Sequence, residues 1–179
     1  GALELSDQAA LKLGDDIRRV SGIDNPNSVA QLKQWLSDQL GTDIDKLGKE
    51  AVNELLEAPQ VKANPAVYYV LKKRKEMAKS SVKKYTAMEN AVCKDGRVRG
   101  LLQFYGANRT GRWAGRLVQV QNLPRNYIPE LSLARNLVKQ ENAAMLELTY
   151  GSLPDTISQL IRTAFVPREG YEFVVADFS

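Results

Sequence analysis

The sequence contains no histidine and only one cysteine among its 179 residues. The absence of histidine excludes His-based catalytic triads, histidine metal ligands and histidine pH switches. The single cysteine, Cys93, cannot form an internal disulfide bond and is typical of a reducing compartment. We therefore expect a protein from a reducing environment in which Cys93 is an ordinary packing residue.

Long apolar runs are also absent. No stretch approaches the roughly 18 apolar residues that a membrane-spanning helix needs, and the first ten residues lack the pattern of a signal peptide. We therefore expect no membrane partner. Hydrophobic residues still make up 44% of the chain, which is enough for one sizeable core or two small adjoining cores.

The charges are distributed unevenly along the chain. Residues 1–59 carry a net charge of −5, residues 60–125 a net charge of +12, and residues 126–179 a net charge of −3. A basic centre between two acidic flanks is typical of proteins that bind a polyanion such as nucleic acid. A basic surface that only faces solvent is the alternative.

Helical periodicity dominates the first half of the chain. Asn64 is a suitable helix cap and Pro65 suits a first helical position, so we predict a long basic helix over about 65–90. Four lysines follow each other at spacings of three and four and would form one stripe on this helix: Lys72, Lys75, Lys79 and Lys83. Such a stripe can follow a phosphate backbone, or it can be an ordinary solvated face.

The pattern changes after residue 92. We predict strands over about 97–104 and 171–177, a basic loop or hairpin over 106–117, and helices over about 128–163. The glycines of the basic segment form neither a Walker loop nor a dinucleotide-binding motif. The fold class is therefore α+β and predominantly α-helical, with a helical part over 1–92 and a smaller part with β-strands over 93–179.

Three stretches together resemble the family A DNA polymerases, the bacterial polymerase I type. NPNSVAQLKQWLSDQLG (25–41) resembles a segment of that family's thumb, and TGRWAGRLVQVQNLPR (110–125) resembles its TGR…LQNIP motif. IRTAFVPREGYEFVVADFS (161–179) resembles the approach to motif A. TGRWAG in place of the commoner TGRLSS, and a longer segment between Arg125 and Phe165, resemble the phage or prophage branch.

The resemblance implies a role for individual residues. Asp177 is similar to the motif A aspartate, the catalytic carboxylate that holds both Mg²⁺ ions of a two-metal mechanism. Arg112, Gln121, Asn122 and Arg125 would contact the primer–template duplex. Lys72, Lys75, Lys79, Ser80 and Lys83 would hold phosphates from the thumb side. The implied partners are primer–template DNA and, in the complete enzyme, deoxynucleotide triphosphates, in the cytoplasm of a bacterial or phage-infected cell.

The chain stops within motif A, so we expect a piece of a larger polymerase: a helical thumb-like part and the first, partial β palm. Alone, this piece is expected to bind duplex DNA weakly and to be inactive as a nucleotidyltransferase. Two other functions are compatible with the same basic centre. One is a stand-alone, non-enzymatic nucleic-acid-binding domain, and the other is a helical domain that binds an acidic protein.

Overall fold

Helices form most of the structure. The computed structural model describes residues 1–78 and 81–174. The helices in these residues are α1 (Ala2–Ser21), α2 (Val29–Leu40), α3 (Lys49–Glu57), α4 (Pro59–Lys62), α5 (Pro65–Met77), α6 (Ser81–Ala91), α7 (Leu131–Lys139), α8 (Ala143–Tyr150) and α9 (Leu153–Leu160). Two 3₁₀ turns cover Val120–Asn122 and Ile161–Ala164. The strands β1 (Leu102–Ala107) and β2 (Arg112–Gly115) form one antiparallel sheet. The predominantly helical α+β class is confirmed.

Local chemistry sets several helix ends. The side-chain oxygen of Asn64 accepts a hydrogen bond from the backbone N–H of Val67 at 3.2 Å, and Pro65 occupies the first turn of α5. Gly41 follows α2 with a φ of 65°, in the left-handed region that glycine reaches most easily. The start of α5 lies where the sequence predicted it.

Three apolar clusters hold the helices together. The first lies among α1 to α5 and contains Ile17, Leu32, Leu36, Ile44, Val52, Leu56, Val61, Val67, Val70 and Leu71. The second joins α1 to α7, α8 and α9 through Leu5, Ala9, Leu137, Leu146, Leu153 and Ile157. The third is smaller and contains Met88, Val118, Leu123 and Ile161. Because α1 contributes to the first two clusters, it connects both halves of the helical body.

The basic segment over 65–90 is described as two helices rather than one. The first, α5, ends at Met77 with Ala78 in a turn, and the second, α6, begins at Ser81. Residues 79 and 80 lie outside the described ranges. The prediction of a single lysine stripe along one continuous helix therefore stays a prediction.

The first strand begins later than the sequence suggested, at Leu102 instead of residue 97. The guanidinium of Arg99 donates hydrogen bonds to both carboxylate oxygens of Asp95, at 2.9 and 2.6 Å, and holds the pKa of that carboxyl well below its usual range. Gly96 and Gly100 both have left-handed φ values, 75° and 68°. The segment before Leu102 therefore forms a turn at residues 94–96 and a single isolated antiparallel bridge, between Val98 and Val92, instead of a regular strand.

Two other expectations concern the second half. Residues 171–174 contain no strand, and residues 175–177 of the predicted strand lie outside the described ranges. Cys93 is exposed, so the expectation that it is a packing residue is wrong: it lies in the turn that follows α6 instead of on a buried helix face. No helix of the described residues has the length and apolar character needed to cross a membrane.

Removing a side chain from the first cluster tests its contribution to the fold. Leu71 is 0% exposed in that cluster, so Leu71→Ala should lower the free energy of unfolding by about 2–5 kcal/mol, through lost burial and the cavity left behind. Urea denaturation followed by circular dichroism measures this. Leu11→Ala is the matched control, because Leu11 is 69% exposed and should change stability by roughly 0.5 kcal/mol or less. Equal losses in the two variants would contradict the described core.

Candidate nucleic-acid interface

The basic segment after residue 100 is a β-hairpin. Leu102 pairs with Gly115, Gln103 with Ala114, and Ala107 with Arg112, with a bulge between the last two pairs. The expectation of a loop or hairpin over 106–117 is confirmed in its hairpin form. Arg112, the first residue of β2, is exposed, as are Arg109 in the connecting loop and Arg116 after β2. The hairpin therefore presents three guanidinium groups to solvent.

Glycines let the hairpin close tightly at two points. Gly111 has a φ of 67°, and a Cβ there would lie 2.8 Å from the ring of Tyr105. At Gly115 a Cβ would overlap the side-chain amide of Gln121, which lies across this glycine. Any larger residue at position 115 would therefore displace Gln121 from the hairpin.

The residues that follow β2 form a short loop with polar side chains outward. Gln121 and Asn122 lie in the 3₁₀ turn Val120–Asn122, and the side-chain amide of Asn122 donates to the side-chain oxygen of Gln119 at 3.3 Å. Arg125 follows and is exposed. The structure thus brings four of the expected DNA contacts onto one hairpin-and-loop unit: Arg112, Gln121, Asn122 and Arg125.

Two basic side chains fix this loop to the helical body, and the sequence analysis identified neither of them. The ammonium of Lys84 on α6 donates to the backbone carbonyl of Val118 at 3.0 Å. The guanidinium of Arg162 donates to the carbonyls of Leu123 at 2.7 Å and Pro124 at 2.9 Å. These partners lie 34 to 39 residues apart in sequence, so no local pattern could have indicated them.

The third cluster completes the attachment. Val118 and Leu123 are buried against Met88 of α6 and Ile161 after α9. Next to them, the hydroxyl of Tyr85 donates to the carbonyl of Ile157 at 2.8 Å, and burial raises the pKa of this hydroxyl far above its usual value. Apolar burial and charged hydrogen bonds therefore hold the loop beside α6.

The lysines of the predicted stripe lie in two different surroundings. Lys83 is exposed on α6, next in sequence to Lys84, the residue that anchors the loop. Lys72 and Lys75 are on α5 and line a cavity of about 440 Å³ whose other lining residues include acids from three elements: Glu57, Glu76 and Asp155. The ammonium of Lys72 also lies 5.2 Å from the ring centre of Tyr68. Lys79 and Ser80 lie outside the described residues.

The described residues contain no cluster of three or more metal-ligating side chains. Within them, no three Asp, Glu or Cys side chains come close enough together to hold a metal ion. Asp177, the expected Mg²⁺ ligand, lies outside the described ranges. The catalytic role of Asp177 and the requirement for Mg²⁺ remain untested expectations.

Comparison with known proteins gives one informative match. Over 178 residues the chain is 54% identical to a protein named "DNA polymerase" from Bacillus phage SP02. The alignment covers 99% of this chain but 27% of the phage protein, so the chain spans about a quarter of its relative's length. No family model matches the chain, and no solved structure does.

The anchoring of the loop can be tested at Arg162. Arg162→Met keeps the length of the side chain but removes its hydrogen bonds to Leu123 and Pro124. We expect amide hydrogens over 119–123 to exchange roughly tenfold faster, since hydrogen bonds from charged groups contribute about 1.5–3 kcal/mol. Hydrogen exchange followed by NMR measures this.

Arg135→Met on α7 is the matched control, because Arg135 is also an exposed arginine but lies on a helix outside the loop. It should leave exchange over 119–123 unchanged. The described anchoring would be wrong if Arg162→Met had no effect on these amides.

Proposed function

We propose that this chain is part of a DNA polymerase and holds primer–template DNA. The observation that carries the proposal is the 54% identity, over almost the whole chain, to a phage protein named DNA polymerase. The concentration of positive charge in residues 60–125 supports it independently, because DNA is a polyanion.

The surface that would contact DNA is the anchored hairpin-and-loop unit together with α6. Arg112 and Arg125 can donate paired hydrogen bonds to phosphate oxygens, and Lys83, exposed on α6, would add a further positive charge. The side-chain amides of Gln121 and Asn122 can both donate and accept, which suits contacts to groove edges and sugars. The attachment through Lys84 and Arg162 supports the proposal, because a binding surface needs a fixed geometry.

These contacts suit a protein that must accept every DNA sequence. Phosphate contacts position the duplex without reading its bases, and their strength falls as salt rises. Lys72 and Lys75 would attract phosphates less strongly than the hairpin arginines, because acidic side chains line the same cavity. They would contribute where the duplex passes α5, together with Lys79 and Ser80.

The finer assignment follows the resemblance to family A polymerases. In it, residues 1–92 are thumb-like, residues 93–179 begin the palm, and Asp177 is the first metal-binding carboxylate. In the complete enzyme, Mg²⁺ would neutralise charge that develops on the transferred phosphoryl group of the deoxynucleotide triphosphate. The described residues would hold the duplex in position for that reaction.

Binding to a fluorescently labelled primer–template duplex tests the proposal. We expect the full 179-residue chain to bind weakly, without sequence preference, and less tightly as salt increases. Arg112→Ala should weaken binding to all sequences alike and lower the slope of log K against log salt by about one. Fluorescence anisotropy across a salt series measures both quantities.

Arg19→Ala provides the matched control for this measurement. Arg19 is exposed on α1, in the acidic first third of the chain, and pairs with Asp16 at 2.8 Å. Its removal should not change DNA affinity. Absence of duplex binding by the unmodified chain at low salt would contradict the proposal.

A primer-extension assay tests whether the chain alone has polymerase activity. The chain corresponds to about a quarter of the length of its relative, so we expect it alone to give no template-directed extension with Mg²⁺ and deoxynucleotide triphosphates. Extension that is lost in Asp177→Asn would overturn this expectation and would show that the chain forms a working catalytic site. Extension that survives Asp177→Asn would indicate a contaminating polymerase.

A further inference from the structure

Three aromatic side chains of the hairpin lie on the surface instead of in a core. Phe104 is 71% exposed, Tyr105 57% and Trp113 61%. Their rings contact one another: the Phe104 and Trp113 ring centres are 5.3 Å apart and edge to face, and those of Phe104 and Tyr105 are 6.3 Å apart. Adjacent exposed rings form an apolar patch, and such patches on soluble proteins mark binding sites.

The strand geometry explains why the patch faces outward. Side chains two residues apart in a strand share a face, so Leu102 and Phe104 lie on one side of β1. Gly115 pairs with Leu102 and shares its side of the sheet with Trp113, two residues before it. Within the described residues, the strands contact each other far more than they contact any helix. The third cluster therefore holds the base of the hairpin and leaves its aromatic face uncovered.

Positive charge surrounds this aromatic patch. Arg109, Arg112 and Arg116 are all exposed on the same short hairpin, while the hairpin itself contains no acidic residue. An apolar protein surface would gain nothing from three guanidinium groups around it that form no ion pair with the described residues. The combination instead fits a ligand that has flat apolar faces and a negatively charged backbone.

We propose that the hairpin is a stacking platform for the bases of unpaired nucleotides. In a duplex both faces of each base are covered by the neighbouring bases. Side-chain rings can therefore stack only on bases that have left the helix or that belong to a single strand. The arginines would bind the phosphates between the stacked bases. This inference rests on the proposed function in taking a nucleic acid as partner, and it adds a site for single strands to the surface that holds duplex.

The amide of Gln121 has a place in this site. It lies across Gly115, on the face of β2 that also carries Trp113. A base stacked on the Trp113 ring would have its polar edge toward this amide, which can donate to or accept from any of the four bases. The platform would therefore accept all sequences.

Binding of a labelled twelve-nucleotide oligothymidylate by the full chain tests this inference. Fluorescence anisotropy gives its affinity, and quenching of tryptophan emission reports stacking on the indole ring. Trp113→Ala should weaken binding roughly tenfold, since stacking on one aromatic ring contributes about 1–3 kcal/mol per base. The salt slope should stay unchanged, because this substitution removes no positive charge.

Trp113→Phe separates stacking from the emission signal. This variant keeps an aromatic ring, so its affinity should stay close to that of the unmodified chain. Quenching should disappear, because the remaining tryptophan, Trp35, packs against the first cluster. Tyr127→Ala is the aromatic control outside the hairpin: Tyr127 is 79% exposed and should not affect binding. Thermal melting of each variant by circular dichroism checks that the helical body remains folded.

The outcomes distinguish this inference from the proposed function. Tight duplex binding with unchanged oligothymidylate affinity in Trp113→Ala would overturn the platform and leave the proposed function standing. Failure to bind either ligand at low salt would contradict both. Equal losses in Trp113→Ala and Tyr127→Ala, or salt-independent dimers that Trp113→Ala abolishes, would also overturn the platform.

Discussion

The burial of one side of α1 is the interaction on which the rest of the structure depends. Its C-terminal half places Ile17 in the first cluster, and its N-terminal half places Leu5 and Ala9 in the second. The second cluster fixes α9, and Ile161, directly after α9, then supports the third cluster and the loop above it. The position of the candidate interface is therefore set by apolar contacts that start far from it in sequence.

The anchored loop changes how the positive charge of the chain should be interpreted. The net charge of residues 60–125 suggests many phosphate contacts. Several of these cations are already engaged within the protein: Lys84 binds a backbone carbonyl, Arg99 binds Asp95, and Lys62 pairs with Glu57 at 2.6 Å. Fewer cations are free to face a ligand than the composition implies, and three of the exposed ones lie on the hairpin: Arg109, Arg112 and Arg116.

The hairpin combines two kinds of contact that serve different forms of nucleic acid. Its guanidinium groups, with Gln121 and Asn122 beside them, suit the phosphates and groove edges of a duplex. Its exposed rings suit the faces of unpaired bases. A protein that works where a duplex meets a single strand needs both kinds of contact. A short hairpin can present them close together, because in the part of the chain that the structure describes no helix packs extensively on its strands.

The sequence by itself determined the local features: the cap at Asn64, the helical periodicity, the basic centre and a loop or hairpin over 106–117. These features depend on neighbouring residues, so their causes are visible in a short window. The expected strand begins later than predicted, at Leu102, and two glycines just before it, Gly96 and Gly100, have left-handed backbone angles that interrupt an extended strand. Only the tertiary structure decided that Lys84 and Arg162 hold the loop and that the aromatic rings stay exposed. The anchoring contacts join residues more than thirty positions apart in sequence, so they depend on how all three clusters pack. The exposure of the rings depends on the same packing.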